Sequence, residues 1–186
     1  MDDSIVDIVV PVRNMEAFVG ETIASVKKQS DPRWRLFLVD DQSEDRSFEI
    51  MSDASSRDSR IVVVHPSDRR VGACGARNFG VKHGASPFVL FLDADDTLEE
   101  GCLSQRLSVF NENPKLDFVL GTAGIMNSMP GDSEHIWNIP SLNAEEDLLR
   151  FLRQDMPWHT MSPLWRRSAL ESIGGWNNEL SAFQDW

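Results

Sequence analysis

The sequence predicts an α/β domain built on a mostly parallel central sheet with helices on both faces, and three observations predict it. Short strand-like runs recur along the first half: Ile5 to Val10, Leu36 to Val39, Ile61 to Val64 and Phe88 to Leu92. Each is followed by a stretch with helical spacing or helix-start residues, the alternation that parallel sheets require. The last three runs are apolar throughout rather than alternating, as expected of strands covered on both faces. Right-handed crossovers then join one strand to the next.

The elements justify themselves in order. Ile5 to Val10 is a β-branched run ended by Pro11, and Val19, Ile23 and Val26 recur at i, i+4 and i+7 as a helix face. Leu36 to Val39 stops on Asp40-Asp41, after which Ser43 and Asp45 are candidate N-caps for a helix carrying Phe48 and Met51. Ile61 to Val64 leads into the glycine-containing stretch Gly72 to Gly80, which enters a helix expected to stop near Gly84. Phe88 to Leu92 ends on Asp93-Ala94-Asp95-Asp96, and Thr97 with Glu100 reads as a capping box before a helix with Leu103, Leu107 and Phe110 on one face. After Pro114 the rhythm changes. Phe118 to Ile125 reads as a strand, Asn127 to Pro140 as a polar loop, and Asn143 with Glu146 as the cap of a helix through Leu148, Leu149 and Leu152. Met156 to Trp165 reads as extended, and Arg167 to Ile173 as a short helix closed by Gly174-Gly175.

A chain of 186 residues fills one domain and falls short of two. Its 41% hydrophobic and 26% charged residues are those of a globular protein rather than a disordered one. Thirty acidic against 18 basic residues leave a net charge of −12, which disfavours wrapping nucleic acid or resting on anionic lipid. An anionic ligand is still admitted, because a divalent metal inverts the local sign. The longest apolar run, Phe88 to Leu92, is far below a membrane span. The acidic N-terminus lacks the marks of a signal or transit peptide, so a cytoplasmic location is expected, with the inner face of a membrane reached through regions outside this chain. Cys74 and Cys102 have no metal-ligand spacing and suggest no disulfide framework. The chain stops at Trp186 without a closing element, so it reads as part of a longer protein.

Ligands of open parallel sheets sit beyond the carboxyl ends of the strands. The residues there are Pro11-Val12-Arg13, Asp40-Asp41 and Asp93-Ala94-Asp95-Asp96. Carboxylates crowding one crevice repel each other unless a cation joins them. A hard divalent ion with oxygen ligands, Mg²⁺ or Mn²⁺, satisfies them. The plain alternative makes these acids helix caps and solvated loop residues, which fits Asp45 better than Asp95.

These residues belong to a larger pattern. Val9-Val-Pro-Val-Arg-Asn14, Val39-Asp-Asp-Gln-Ser43 with Asp45, Gly75-Ala-Arg-Asn78, Phe91-Leu-Asp-Ala-Asp-Asp96 and Gly174-Gly-Trp176 occur in the order and rough spacing of a family 2 glycosyltransferase. The chain resembles the catalytic domain of that family over nearly its whole length. The resemblance implies the Rossmann-like GT-A fold, with a nucleotide-sugar-binding half at 1–97 and an irregular, incomplete acceptor-side half at 98–186 of one domain. It implies metal-dependent, inverting transfer of a sugar from a nucleotide diphosphate donor to a carbohydrate or lipid-linked acceptor, in cell-wall or polysaccharide biosynthesis. Carried over by residue, Pro11, Val12 and Arg13 line the nucleoside pocket, and Asp41 accepts from N3–H of uracil with Asp40 supporting its loop. Arg77 sits near the donor, Asp95 binds the Mn²⁺ or Mg²⁺ bridging the diphosphate, and Asp93 binds ribose, sugar or metal, with Asp96 helping through water. Asp185 stands at the position of the general base, and Gln184 replaces the glutamate usual before it.

Two other readings fit parts of the sequence. Leu92-Asp-Ala-Asp-Asp-Thr-Leu98 resembles the strand end of haloacid-dehalogenase-like phosphatases, although three strand–helix units precede it here instead of none. A nucleotide-sugar-binding module without activity is the non-enzymatic reading. His159 either lines an acceptor site or packs at the surface. Trp137, Trp158, Trp165 and Trp176 gather in the second half, where aromatic faces serve sugar stacking or, more commonly, packing.

Overall fold

The computed structural model describes residues 3–66, 71–126, 133, 135–137, 141 and 143–179. Six strands form one sheet in the order β3-β2-β1-β4-β6-β5. These are β1 (Val6–Val12), β2 (Trp34–Asp40), β3 (Ile61–Val64), β4 (Phe88–Phe91), β5 (Phe118–Leu120) and β6 (Pro163–Arg166). The first four are mutually parallel, with β1 between β2 and β4. Helices α1 (Val19–Lys27), α2 (Ser47–Arg57) and α3 (Gly72–His83) make the crossovers. β6 then runs antiparallel between β4 and β5. The chain therefore winds outward from β1 to β3 and returns to the other side of β1 with β4. That reversal opens a crevice between the carboxyl ends of β1 and β4, where ligands of such sheets bind.

The two-residue period of the strands sorts the core into two layers. Val6, Ile8, Val10 and Val12 of β1 face α1, α2 and α4 (Cys102–Glu112), packing with Ile23, Met51, Leu103 and Phe110. Val9 faces the other way with Phe37, Val39 and Phe91, under Ala76 of α3 and Leu170 of α6 (Arg167–Ser172). Asp7 has the parity of this second layer and is fully buried, so it must be paired. Its carboxylate accepts from Ser86 N at 2.9 Å, from Ser86 Oγ at 2.7 Å and from Arg167 Nη2. Arg167 also donates to the Ser86 and Val81 carbonyls, which fastens α6 to the end of α3. A side chain at Gly84 would collide with the Asp7 carboxylate, so this lock requires a glycine there.

Several boundaries differ from the sequence expectation. β1 continues through Pro11, paired in register with Val39. Pro11 shares the parity of Val9, whose carbonyl serves β4 through Leu92 N. β4 ends near that level, so the missing N–H of Pro11 interrupts no ladder. Thr97 and Glu100 do not cap α4, whose N-cap is Gly101 with no side-chain bond. Asp45 accepts from Ser47 N at the start of α2, whereas Ser43 Oγ accepts from Asn14 N in the facing loop. The strand expected from Phe118 to Ile125 is ordered as β5 only to Leu120, and the extended segment before Trp165 pairs only from Pro163. Asn143 caps α5 (Ala144–Leu152) through Glu145 N. Neither Cys74 nor Cys102 forms a disulfide. Among the described residues no helix is long and apolar enough to cross a membrane.

Candidate active site

The floor of the crevice is set by α1, which has two working faces. Val19, Ile23 and Val26 pack into the core, and the buried polar residues Thr22 and Ser25, with Gln29 just past the helix end, hold the loop between β4 and α4. Thr22 Oγ1 donates to the Ala94 carbonyl at 2.8 Å, and Ser25 Oγ accepts from Leu98 N at 3.1 Å. Gln29 donates to the Glu99 carbonyl at 2.7 Å and accepts from Leu103 N at 3.1 Å. This polar stripe, missed when only apolar spacing is read, fixes the backbone that carries the aspartates.

Within that loop a tight turn closes from Asp96 N to the Asp93 carbonyl at 3.1 Å. Asp93, Asp96 and His159 each offer one ligand atom, all within 4.8 Å of one another. His159, just before β6, places Nδ1 3.7 Å from Asp96 Oδ2. Asp95, expected from the sequence to bind the metal with Asp93, is exposed and lies outside this trio. Burial pushes the Asp96 carboxyl up to about 6, with His159 opposing and the Asp93 and Asp95 charges adding to the rise. Mn²⁺, though a hard ion that favours carboxylates, accepts an imidazole beside them more readily than Mg²⁺, which prefers oxygen alone. The donor set therefore fits the expected cation, with His159 as the member that sequence left among surface or acceptor residues.

Behind the trio, Arg77 of α3 is buried and donates from Nη2 to Asp93 Oδ1 at 2.7 Å. Its guanidinium lies over the Trp176 ring, 4.4 Å from the centroid. Asn78, the next residue, holds the Trp176 backbone from both sides. Its Oδ1 accepts from Trp176 N at 2.9 Å, and its Nδ2 donates to the Trp176 carbonyl at 2.7 Å and to Asn178 Oδ1 at 2.9 Å. Gly175 reaches this clamp at φ +71°, where a Cβ would stand 2.7 Å from Asn78 Oδ1. The Ala-Arg-Asn and Gly-Gly-Trp segments, 98 residues apart at Asn78 and Trp176, thus form one unit.

The loops after β1 and β2 are fastened reciprocally. Asn14 N donates to Ser43 Oγ and Asn14 Oδ1 accepts from Glu44 N. Glu16 N donates to Asp45 Oδ2, and Glu16 Oε2 accepts from Arg46 N. Asp45 is accordingly a structural tie. Asp40 is buried and accepts from Ser43 N at 3.3 Å. Asp41, 5% exposed, accepts from Val71 N at 2.8 Å and Gly72 N at 3.0 Å, so its charge sits at the N-terminus of α3. A carboxylate has about four acceptor positions, which leaves capacity for a ligand N–H. Val12 turns its side chain into the core, while Pro11 and Arg13 are half-buried at the crevice edge. Gln184 and Asp185 lie outside the described residues.

The sequence profile of glycosyl transferase family 2 matches residues 7–174. Over 129 residues the chain is 34% identical to the UDP-Glc:alpha-D-GlcNAc-diphosphoundecaprenol beta-1,3-glucosyltransferase WfgD of Escherichia coli, covering 69% of this chain and 49% of that protein. Over 115 residues it is 37% identical to the uncharacterized glycosyltransferase EpsJ of Bacillus subtilis, covering 62% of this chain and 33% of that one. The chain thus spans half or less of the length of these relatives. Among solved structures, S. aureus TarS 1-349 matches with a TM-score of 0.74 at 23% identity, covering 97% of this chain and 52% of that one. The same protein in complex with UDP gives 0.73 at 22% identity, again over 97% of this chain and 52% of that one. The mannosyltransferase PcManGT from Pyrobaculum calidifontis, in complex with GDP-Man and Mn²⁺, gives 0.71 at 18% identity over 97% of this chain and 50% of that one. These structural likenesses establish the GT-A-like α/β fold.

Proposed function

This chain belongs to glycosyl transferase family 2, and from that premise we propose that it binds a UDP-sugar at the carboxyl ends of β2, β1 and β4 and serves an inverting, metal-dependent transfer of the sugar to an acceptor hydroxyl. The observation that carries the reading is the convergence of Asp93, Asp96 and His159 at the β1–β4 reversal, backed by Arg77. The UDP complex of TarS and the UDP-Glc donor in the name of WfgD support the choice of nucleotide. The diphosphoundecaprenol in that name supports a lipid-linked acceptor, and the proposal places the reaction on the cytoplasmic side of a membrane.

Each residue then has a task. Pro11, Val12 through its backbone, Arg13 and Asp40 shape the nucleoside site, and Asp41 accepts from uracil N3–H. Asp93, Asp96 and His159 hold Mn²⁺ or Mg²⁺, and Asp95 stands exposed beside them to reach the donor. Bound there, the cation supplies Lewis-acid stabilisation of the charge on the leaving diphosphate. Arg77 fixes the Asp93 carboxylate and keeps one positive charge behind the acidic turn. The acceptor hydroxyl is a poor nucleophile, and we assign Asp185 as the carboxylate that takes its proton. The acceptor oxygen bonds to the anomeric carbon as the bond to the diphosphate breaks, and UDP leaves on the opposite face. The 1–97 half carries the donor in this reading and the 98–186 half the acceptor side.

The phosphatase reading fares poorly against the family match and the geometry. Its nucleophile would be Asp93, whose Oδ1 is engaged by Arg77. Thermal unfolding with UDP-, GDP- and dTDP-sugars, each with and without Mn²⁺, tests the proposal, because binding to the native state raises apparent stability. The largest rise is expected from a UDP-sugar with Mn²⁺. A larger rise with GDP-sugars, or none with any donor, overturns it.

A further inference from the structure

We infer that Trp137 is the stacking platform of the acceptor site, and that a pyranose ring of the acceptor lies against its indole. The inference rests on reading the chain as a sugar transferase and adds the residue that would meet the second substrate. Among the described tryptophans, Trp34 is buried in the core, Trp165 packs on Phe118, Trp158 on Phe118 and Phe151, and Trp176 on Phe91. Trp137 differs, being 48% exposed. Of the five described tryptophans it alone is exposed, so its indole is open to a ligand.

Its position is held. Trp137 N donates to the Ala123 carbonyl at 2.7 Å, Ile125 N donates to the His135 carbonyl at 2.8 Å, and Gly124 and Ile136 form an antiparallel bridge between them. The pairing fixes the backbone at Trp137, and contact with the His159 ring restricts its side chain. The Trp137 ring meets the His159 ring at 73° with centroids 5.9 Å apart. His159 in turn completes the trio with Asp93 and Asp96. One side chain therefore separates Trp137 from the place where the donor diphosphate is assigned.

Topology decides which substrate it faces. The nucleoside residues lie at the ends of β1 and β2, on one side of the trio in the strand order. Trp137 pairs with the segment that follows β5, so it lies on the other side, beyond His159, which precedes β6. A base bound near Asp41 is not adjacent to that indole, whereas an acceptor approaching the anomeric carbon opposite the diphosphate is. The chemistry matches: the indole face is electron-rich, and the C–H bonds on a pyranose face present the complementary polarity while its hydroxyls stay solvated at the edge.

The test labels the indole nitrogens of the chain with ¹⁵N, saturates it with UDP and Mn²⁺, and titrates methyl β-D-glucopyranoside, methyl β-D-galactopyranoside and methyl N-acetyl-β-D-glucosaminide. The Trp137 resonance is assigned by its absence in Trp137→Phe. At least one sugar is expected to move that resonance, Trp137→Ala to weaken its binding about fivefold to tenfold, and Trp137→Phe to retain most of it. UDP affinity should be unchanged in both variants. A Trp137 resonance that none of the sugars moves, or equal sugar affinity in Trp137→Ala, overturns the inference while UDP binding leaves the proposed function standing. Absence of UDP binding in the unaltered chain removes the proposed function and this inference together.

Discussion

The Thr22 hydroxyl donates to the carbonyl of Ala94 at 2.8 Å, so a helix of the first crossover holds the peptide that lies between Asp93 and Asp95. Ala94 itself is buried and can form no such tie with its side chain. The acidic turn is thereby built on a fixed backbone, which is what ligand placement to a fraction of an ångström demands.

Replacing Thr22 by Val keeps the shape and removes the donor. The Ala94 carbonyl is then left without that bond in a buried place, at a cost of about 1–3 kcal/mol. Urea unfolding should show that loss. Mn²⁺-dependent UDP binding should weaken as well, although Thr22 touches neither ligand in this account. Unchanged stability in Thr22→Val would mean that the turn is held elsewhere.

A second expectation concerns acid. Asp31 accepts from Arg33 N and pairs with its guanidinium, and Asp58 does the same with Arg60. The two brackets close the turns before β2 and β3. The side-chain bond to the arginine, against the opposing effect of burial, holds each carboxyl below the usual range. A depressed folded value stabilises above the ordinary carboxylate pKa, and that contribution fades as pH falls through the folded value. The stability gap between the unaltered protein and the Asp31→Asn/Asp58→Asn variant should therefore be full at pH 6 and shrink below about pH 4. A gap that persists unchanged to pH 2 would deny the brackets this role.

The general base proposed at Asp185 predicts that turnover and binding separate. In a form of the protein that transfers sugar, Asp185→Asn should lower turnover by about 10²–10⁴-fold, the usual contribution of a general base, with UDP affinity little changed. Steady-state transfer and UDP titration check the two halves. Near-normal transfer would remove Asp185 from the mechanism and turn attention to Asp147, Asp155 or Glu179.

Much of the sheet was legible because strand ends carry their own chemistry. Ile61 to Val64 appears as read, and Asp40, Asp41 and Asp93 fall at the expected edge. What was illegible depends on contacts distant in sequence. Thr22 and Ser25, and Gln29 just past the helix end, look solvated until the β4–α4 loop is laid on them. Asp41 caps a helix that starts 31 residues later at Gly72, beyond the reach of any local capping pattern. His159 reaches Asp96 because β6 inserts antiparallel beside β4, an exception to the parallel winding that no short motif announces. The Asn78–Trp176 clamp joins two motifs that lie 98 residues apart in the sequence.

Calorimetric titration of UDP into the chain with Mn²⁺ and with EDTA, repeated for Asp93→Ala, Asp96→Ala, His159→Ala and Asp95→Ala, tests the central claim most directly. The account predicts that UDP binding requires the cation. It also predicts a loss of at least about tenfold, roughly 1.4 kcal/mol, in Asp93→Ala, Asp96→Ala and His159→Ala, and a smaller one in Asp95→Ala. A loss confined to Asp93→Ala and Asp95→Ala would return the metal to the pair read from the sequence. UDP binding of equal strength with EDTA and in every variant would contradict the account.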